Sequence, residues 1–223
     1  MWWRRLGIVL VSVLSVLGVL SIRQTRAEAL ILINEVLADP PAIGGDANGD
    51  GIVSATQDEF VELVNTAAAP VSLAGWSFAD LVSTRHTFAP SSTIPAFGFF
   101  VIFGGGAPQG FANAAIASSG TLSLNNTGDT LTLRDQASQL VETFVYGAEG
   151  GMDVSLTRFP DALGPFVKHT TVSVRPFSPG QGVDSRSTLP LPSSDPVFPE
   201  PSSLLLLGSG MFRLSLLRRR RTL

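Results

Sequence analysis

Glu59-Phe60-Val61-Glu62-Leu63-Val64-Asn65, followed five residues later by Val71-Ser72-Leu73-Ala74-Gly75-Trp76-Ser77-Phe78-Ala79-Asp80, is the stretch that decides the fold. Both runs are rich in β-branched and aromatic residues, and neither sets apolar residues at helical spacing over ten positions. Asn65 can close the turn between them through its side chain, and Gly75 permits a bulge that turns Trp76 inward. Glu59–Asn65 and Val71–Phe78 therefore read as strands, with Trp76 a packing residue rather than a ligand platform. Outward from them, Leu30–Leu37, Phe99–Phe103, Thr121–Leu124, Thr130–Arg134, Leu140–Tyr146 and Val154–Phe159 have the same character. Thr121–Leu124 and Thr130–Leu133 alternate with period two across Asn125–Asp129, which predicts a hairpin. Short strands with this turn punctuation predict an all-β domain over residues 30–175, a sandwich or a barrel.

The same two runs, with Ile33-Asn34-Glu35-Val36 before them and Phe97-Gly98-Phe99-Phe100-Val101-Ile102 and Gly128-Asp129-Thr130-Leu131-Thr132-Leu133 after them, resemble the lamin-tail domain over about residues 30–160. The resemblance implies an immunoglobulin-like β-sandwich. It also implies use in a scaffold, as in the nuclear lamins, or as a module on secreted bacterial proteins, sometimes beside hydrolases or nucleases. Fold by itself assigns no activity.

The chain opens Met1-Trp2-Trp3-Arg4-Arg5, runs uncharged and mostly apolar from Leu6 to Ile22, and reaches Ala27-Glu28-Ala29. A basic head, an apolar span and an A-x-A triplet are the order of a signal peptide, 1–29, whose helix is cut off after Ala29. The other reading is an uncleaved anchor, which needs ~20 apolar residues. At the far end Pro199-Glu200-Pro201 precedes an apolar segment, Leu204–Phe212, then Arg213, then Arg218–Arg221. An apolar segment closed by arginines reads as a stop-transfer signal with the arginines in the cytoplasm. Taken in order, these parts resemble the PEP-CTERM sorting signal over 199–223, which implies processing by an exosortase, a membrane cysteine protease. Arg213 leaves only a short apolar anchor helix, since a mid-span arginine costs ~2.5–3.5 kcal/mol. Residues 176–198, rich in proline, serine and glycine, predict an extended tether; an ordered edge segment packed on the sandwich is the alternative. The expected location is the cell envelope, the outer surface or the extracellular space, with transient anchoring in the inner membrane. Signal peptidase and exosortase are the expected processing partners.

Eighteen acids against fifteen Lys and Arg give a net charge of −3, but the average hides a segregation. Residues 30–200 hold seventeen of the acids and six of the cations, a formal charge of −11. So acidic a domain repels phosphate backbones, which excludes nucleic acid as an expected partner. With no cysteine in the chain, disulfides, thiolate metal sites and thiol nucleophiles are excluded as well.

Asp46-Ala47-Asn48-Gly49-Asp50-Gly51-Ile52-Val53-Ser54 places oxygen-bearing side chains at loop positions 1, 3, 5 and 9, a backbone carbonyl (Ile52) at 7 and glycine at 6. That is the first half of a calcium loop. Position 12 is Gln57, so the remaining carboxylate comes from Asp58 or Glu59 or is missing. The expected structural cofactor is calcium, held by Asp46, Asn48, Asp50, the Ile52 carbonyl and Asp58. A plain Asn-Gly, Asp-Gly surface turn is the alternative.

Only His86 and His169 could act as bases at neutral pH, and neither lies in a hydrolase or metal-binding spacing. Both read as ordinary exposed histidines. Gly104–Gly106 precedes no helix, so it is a loop rather than a phosphate cradle. The sequence thus predicts a non-catalytic structural or binding module, sorted by an exosortase and directed at an extracellular polymer or protein. The other class is a secreted hydrolase or nuclease-associated protein with an acidic site, for which Asp58/Glu59 and Asp80/Asp129 are the available pairs.

Overall fold

The computed structural model describes residues 31–183. Its strands are β1 (Ile31–Leu37), β2 (Phe60–Asn65), β3 (Val71–Ser72), β4 (Ser77–Ala79), β5 (Thr84–Thr87), β6 (Thr93–Ile94), β7 (Phe99–Phe103), β8 (Ala114–Ile116), β9 (Asp129–Arg134), β10 (Leu140–Tyr146), β11 (Leu156–Arg158) and β12 (Phe166–Lys168). Helix among the described residues is limited to two 3-10 turns, Ala148–Gly150 and His169–Thr171. One sheet has the order β12-β11-β1-β2-β7-β8, a second β10-β9-β4-β5, and β3 pairs with β6 alone. Every pairing is antiparallel except β7 with β8. This is an all-β architecture of the immunoglobulin-like sandwich kind.

The larger sheet is apolar on both faces. Ile31, Ile33, Val36, Val61, Leu63, Phe100 and Ile102 point into the sandwich and meet Phe78, Leu131, Leu133, Phe144 and Tyr146 from the smaller sheet. Leu37, Phe60, Val101 and Phe103 point the other way and are buried too. A near-continuous hydrophobic run such as Phe60-Val61-Glu62-Leu63-Val64 is what a strand covered on both faces requires. The cover on the outer face is built from loops: Ala47, Phe111 and Phe177 pack on that cluster.

Several expectations need correction. Val71–Phe78 is not one strand. Leu73 to Trp76 forms a turn in which the Trp76 N–H bonds the Leu73 carbonyl and Gly75 sits at φ +74°, so Ser77 starts in a different sheet. Trp76 is half-buried against the core, as a packing residue should be. Thr121–Leu124 forms no strand. Ser123 at φ +51° breaks the backbone, although Leu122 and Leu124 still bury alternately. The partner of β9 is β10, joined across Asp135–Gln139 by an Asp135 side chain that accepts from the N–H groups of Ala137 and Gln139. The first residues of the expected tether, 176–183, lie ordered against the sheet: Phe177 meets Phe60 edge-on and the Ser178 N–H reaches Glu35. The signal helix, the apolar anchor, Pro199-Glu200-Pro201 and Ala27/Ala29 lie outside the described residues. Among the described residues no helix is long and apolar enough to cross a membrane.

Candidate functional site

The acidic loop folds back on itself by short side-chain bonds. Asp46 Oδ2 accepts from the Gly51 N–H at 2.9 Å, Asn48 Oδ1 from the Asp50 N–H at 2.9 Å, and Asp50 Oδ1 from the Ile52 N–H at 2.9 Å. Gly49 and Gly51 take φ values of +72° and +89°, which only glycine adopts without strain. Asp58 reaches across from the other end of the loop: its carboxylate accepts from the Asn48 N–H at 3.0 Å and the Ser54 N–H at 2.7 Å. Burial raises the Asp58 pKa, and Asp46 adds a like charge to the same effect. Asp46 Oδ1 is buried without a hydrogen-bond partner. Four of the five expected ligand residues are thereby linked by hydrogen bonds into one turn, and the fifth, Ile52, joins through its own N–H. No three carboxylate or imidazole side chains of the described residues converge as a ready-made metal set.

The glycine run, where the sequence predicts only a loop, is the seat of this acidic turn. The Gly105 N–H donates to the Gln57 carbonyl, the Gln109 N–H to the Asn48 carbonyl, and the Ala107 N–H to Asp50 Oδ2. Asn48 Nδ2 donates to the Gly105 carbonyl at 3.3 Å. A Cβ on Gly104 would lie 1.9 Å from the Thr56 carbonyl oxygen, and one on Gly106 would lie 2.4 Å from both Asn48 Nδ2 and Asp50 Oδ2. Three glycines facing an acidic turn were the available signal.

Whereas Asp58 bonds back to the loop, Glu59 leaves it altogether. It is buried on the far side, where backbone N–H groups of Leu124 and Ser123 face it. Burial pushes it up to about 8, and Asp129 opposes its ionisation while Arg85 favours it. Tyr146, whose hydroxyl is buried without a partner, is pushed up by burial and by Asp129 and Glu59. Asp58 and Glu59 therefore face different surroundings. Asp80 and Asp129 do come together, but as turn anchors. Asp129 Oδ1 accepts from the Leu81 N–H at 3.2 Å, and Asp80 accepts from Val82, Ser83 and Arg85, the last at 2.5 Å.

Both histidines are buried, against expectation. His86 alternates inward on β5, accepts from the Ser118 N–H at Nδ1 and stands edge-on to Phe88. His169 caps a buried polar cluster between β1, β2 and the C-terminal segment, made of Asn34, Glu35, Glu62, Ser155, Asp161 and Ser178. Its legible trace was parity: Glu62 lies between Phe60 and Val64 on the same buried face. Ser178 Oγ lies 2.9 Å from His169 Nε2, the spacing of a nucleophile and its base. The same hydroxyl is bonded to Glu35, however, and both residues are covered.

A search of curated proteins found no match. A family model described as the lamin tail domain matches residues 24–148, which takes in β1 to β10 and the whole acidic loop and its glycine seat. The family is an immunoglobulin-like structural domain, not a typically catalytic one. With more than half of its residues matched, and with its two packed, mostly antiparallel sheets, the chain belongs to the lamin tail domain family.

Proposed function

We propose that the chain is an exported, non-catalytic surface or matrix module stiffened by one calcium ion in the loop Asp46–Asp58. Asp46, Asn48, Asp50, the Ile52 carbonyl and Asp58 would hold the ion, which supplies charge neutralisation and a rigid loop rather than chemistry. The observation that carries this reading is Asp46 Oδ1, buried without a hydrogen-bond partner beside the like-charged Asp58. A hard, flexible-coordination cation suits three carboxylates, a carboxamide and a carbonyl, with a Kd in the extracellular range of about 10⁻⁴–10⁻³ M.

Thermal melting in calcium and in chelator tests it. At ten times the Kd a cation bound only by the folded state adds about 1.4 kcal/mol, a shift of roughly 3–6 °C for a domain of this size. Magnesium should do less, since it demands tight octahedral geometry. Asp46→Asn keeps the acceptor for the Gly51 N–H and removes the charge facing Asp58. It should therefore abolish the calcium shift and leave the melting temperature in chelator unchanged or slightly higher. Equal wild-type curves in calcium and chelator would reduce the loop to a turn.

Export follows in this reading from the two terminal signals. Signal peptidase releases the chain after Ala29 and exosortase acts near Pro199-Glu200-Pro201, after the membrane has held the C-terminal segment. The acidic domain then faces an extracellular polymer or protein, not nucleic acid. Intact-mass measurement on protein from its native host should give a chain that begins near Leu30 and ends close to Pro201. A mass retaining both Arg4-Arg5 and Arg218–Arg221 would refute the processing scheme.

A further inference from the structure

Past the matched stretch, residues 176–183 run as a strap over the outer face of the six-stranded sheet; the Pro176 carbonyl accepts from the Ser155 N–H at 2.9 Å, and beyond it acids hold the strap in place of a strand ladder. The Ser178 N–H donates to Glu35 Oε1 at 2.9 Å, the Gly180 N–H to Glu62 Oε2 at 2.7 Å, and the Val183 N–H to Asp161 Oδ2 at 3.2 Å. Glu35 and Glu62 are cross-strand partners on β1 and β2, both wholly buried, and Asp161 is 2% exposed. Three carboxyl groups under one segment are stable only if their protons are accounted for.

The count can be made from the hydrogen bonds. His169 Nδ1 lies 2.8 Å from the Arg175 carbonyl, which only accepts, so Nδ1 carries a hydrogen. His169 Nε2 lies 2.9 Å from Ser178 Oγ, and that oxygen lies 2.9 Å from Glu35 Oε2. These two links need two hydrogens, and the serine owns one. The second must sit on Glu35 or on His169 Nε2. Without it, one link sets lone pair against lone pair in a buried site.

We infer that the strap 176–183 is a proton-held latch: one proton shared along Glu35, Ser178 and His169 keeps it closed, and its loss frees the strap from the sheet. Asp161 adds a like charge that raises Glu35, and Arg175 opposes protonation of His169. Glu62, across the strand pair, is itself raised well above the ordinary carboxylate range by burial and by Glu35. Burial lifts Glu35 to about 7 and draws His169 down, so the proton rests on the carboxyl. In the open state Glu35 meets water and returns to the ordinary range of about 4.3. The closed form, with the raised pKa, is fully favoured below that ordinary value and loses ground as pH rises through 7. Opening uncovers Phe60, which Phe177 otherwise caps at 6.3 Å between ring centres.

Amide hydrogen exchange on the full chain, expressed as protection relative to each amide's intrinsic rate, reads the latch at Ser178, Gly180 and Val183. Protection there should fall about tenfold per pH unit between pH 5 and 7, while Leu63 in β2 keeps its own. Glu35→Gln offers an amide hydrogen to Ser178 Oγ at every pH, so its strap should stay protected throughout. Flat wild-type protection from pH 5 to 8, or a Glu35→Gln slope equal to wild type, would overturn the latch. Should the variant fail to fold, the carboxyl carbon shift of Glu35 in the wild type decides: a midpoint near 7 supports the shared proton and one near 4.3 refutes it.

Discussion

Phe60→Ala is expected to cost about 3–5 kcal/mol, because a wholly buried ring is removed from a layer that cannot collapse around the gap. Phe60 stands between Phe103, 5.9 Å away edge-on, and Phe177 of the strap, with Leu37 and Val101 of the same outer cluster around it. These neighbours come from the two strands that flank β2 and from the C-terminal segment, so no single movement fills the space. Total stability of such domains is about 5–15 kcal/mol, and the loss is a large share of it. Urea unfolding of the full chain measures it, with the slope unchanged if only packing is lost. A change below about 1 kcal/mol would mean that the loops and strap do not form a second core layer.

Asn34→Asp should be nearly as damaging at neutral pH, although it alters no shape. Asn34 is the extra residue of a bulge in β1 and is fully buried. Its Nδ2 donates to Glu62 Oε1 and Asp161 Oδ1, each at 3.0 Å, and its Oδ1 accepts from the Ala162 N–H at 2.8 Å. Ala162 sits at φ +63°, a conformation unusual for a residue with a Cβ, and this bond helps to hold it there. Aspartate removes both donated hydrogens and places another carboxyl among acids, at roughly 3–5 kcal/mol for the orphaned groups together. Protonation relieves part of the repulsion, so the deficit should shrink towards pH 4. Urea midpoints at pH 4 and pH 7.5 that differ from wild type by the same small amount would contradict this assignment of Asn34.

The fold was legible where the two faces of a strand differ from water in a regular way. Phe99–Phe103 and Leu140–Tyr146 were read to the residue, and Glu59–Asn65 within one, because long apolar or alternating runs carry a period. Short or polar strands carry none: Thr84–Thr87, Thr93–Ile94, Ala114–Ile116 and Phe166–Lys168 are paired by their neighbours rather than by their own composition. Thr121–Leu124 shows the reverse, since period two marks burial of alternate side chains and not ladder pairing. In the candidate site, the acidic loop and its glycines are consecutive in sequence and could be read. That Asp58 bonds back to the loop while Glu59 turns to the far side could not, because it depends on which way the chain turns into β2. Asn34, Glu35, Glu62, Asp161, His169 and Ser178 are far apart in the chain, and only the completed sandwich brings them together.

The proposed binding of one calcium ion by the loop Asp46–Asp58 can be measured directly. Isothermal titration of calcium into the chelator-treated full chain tests it most directly. One site per chain is expected, with a Kd of about 10⁻⁴–10⁻³ M, lost in Asp46→Asn. The absence of any saturable heat in the wild type, or an unchanged isotherm in Asp46→Asn, would contradict it.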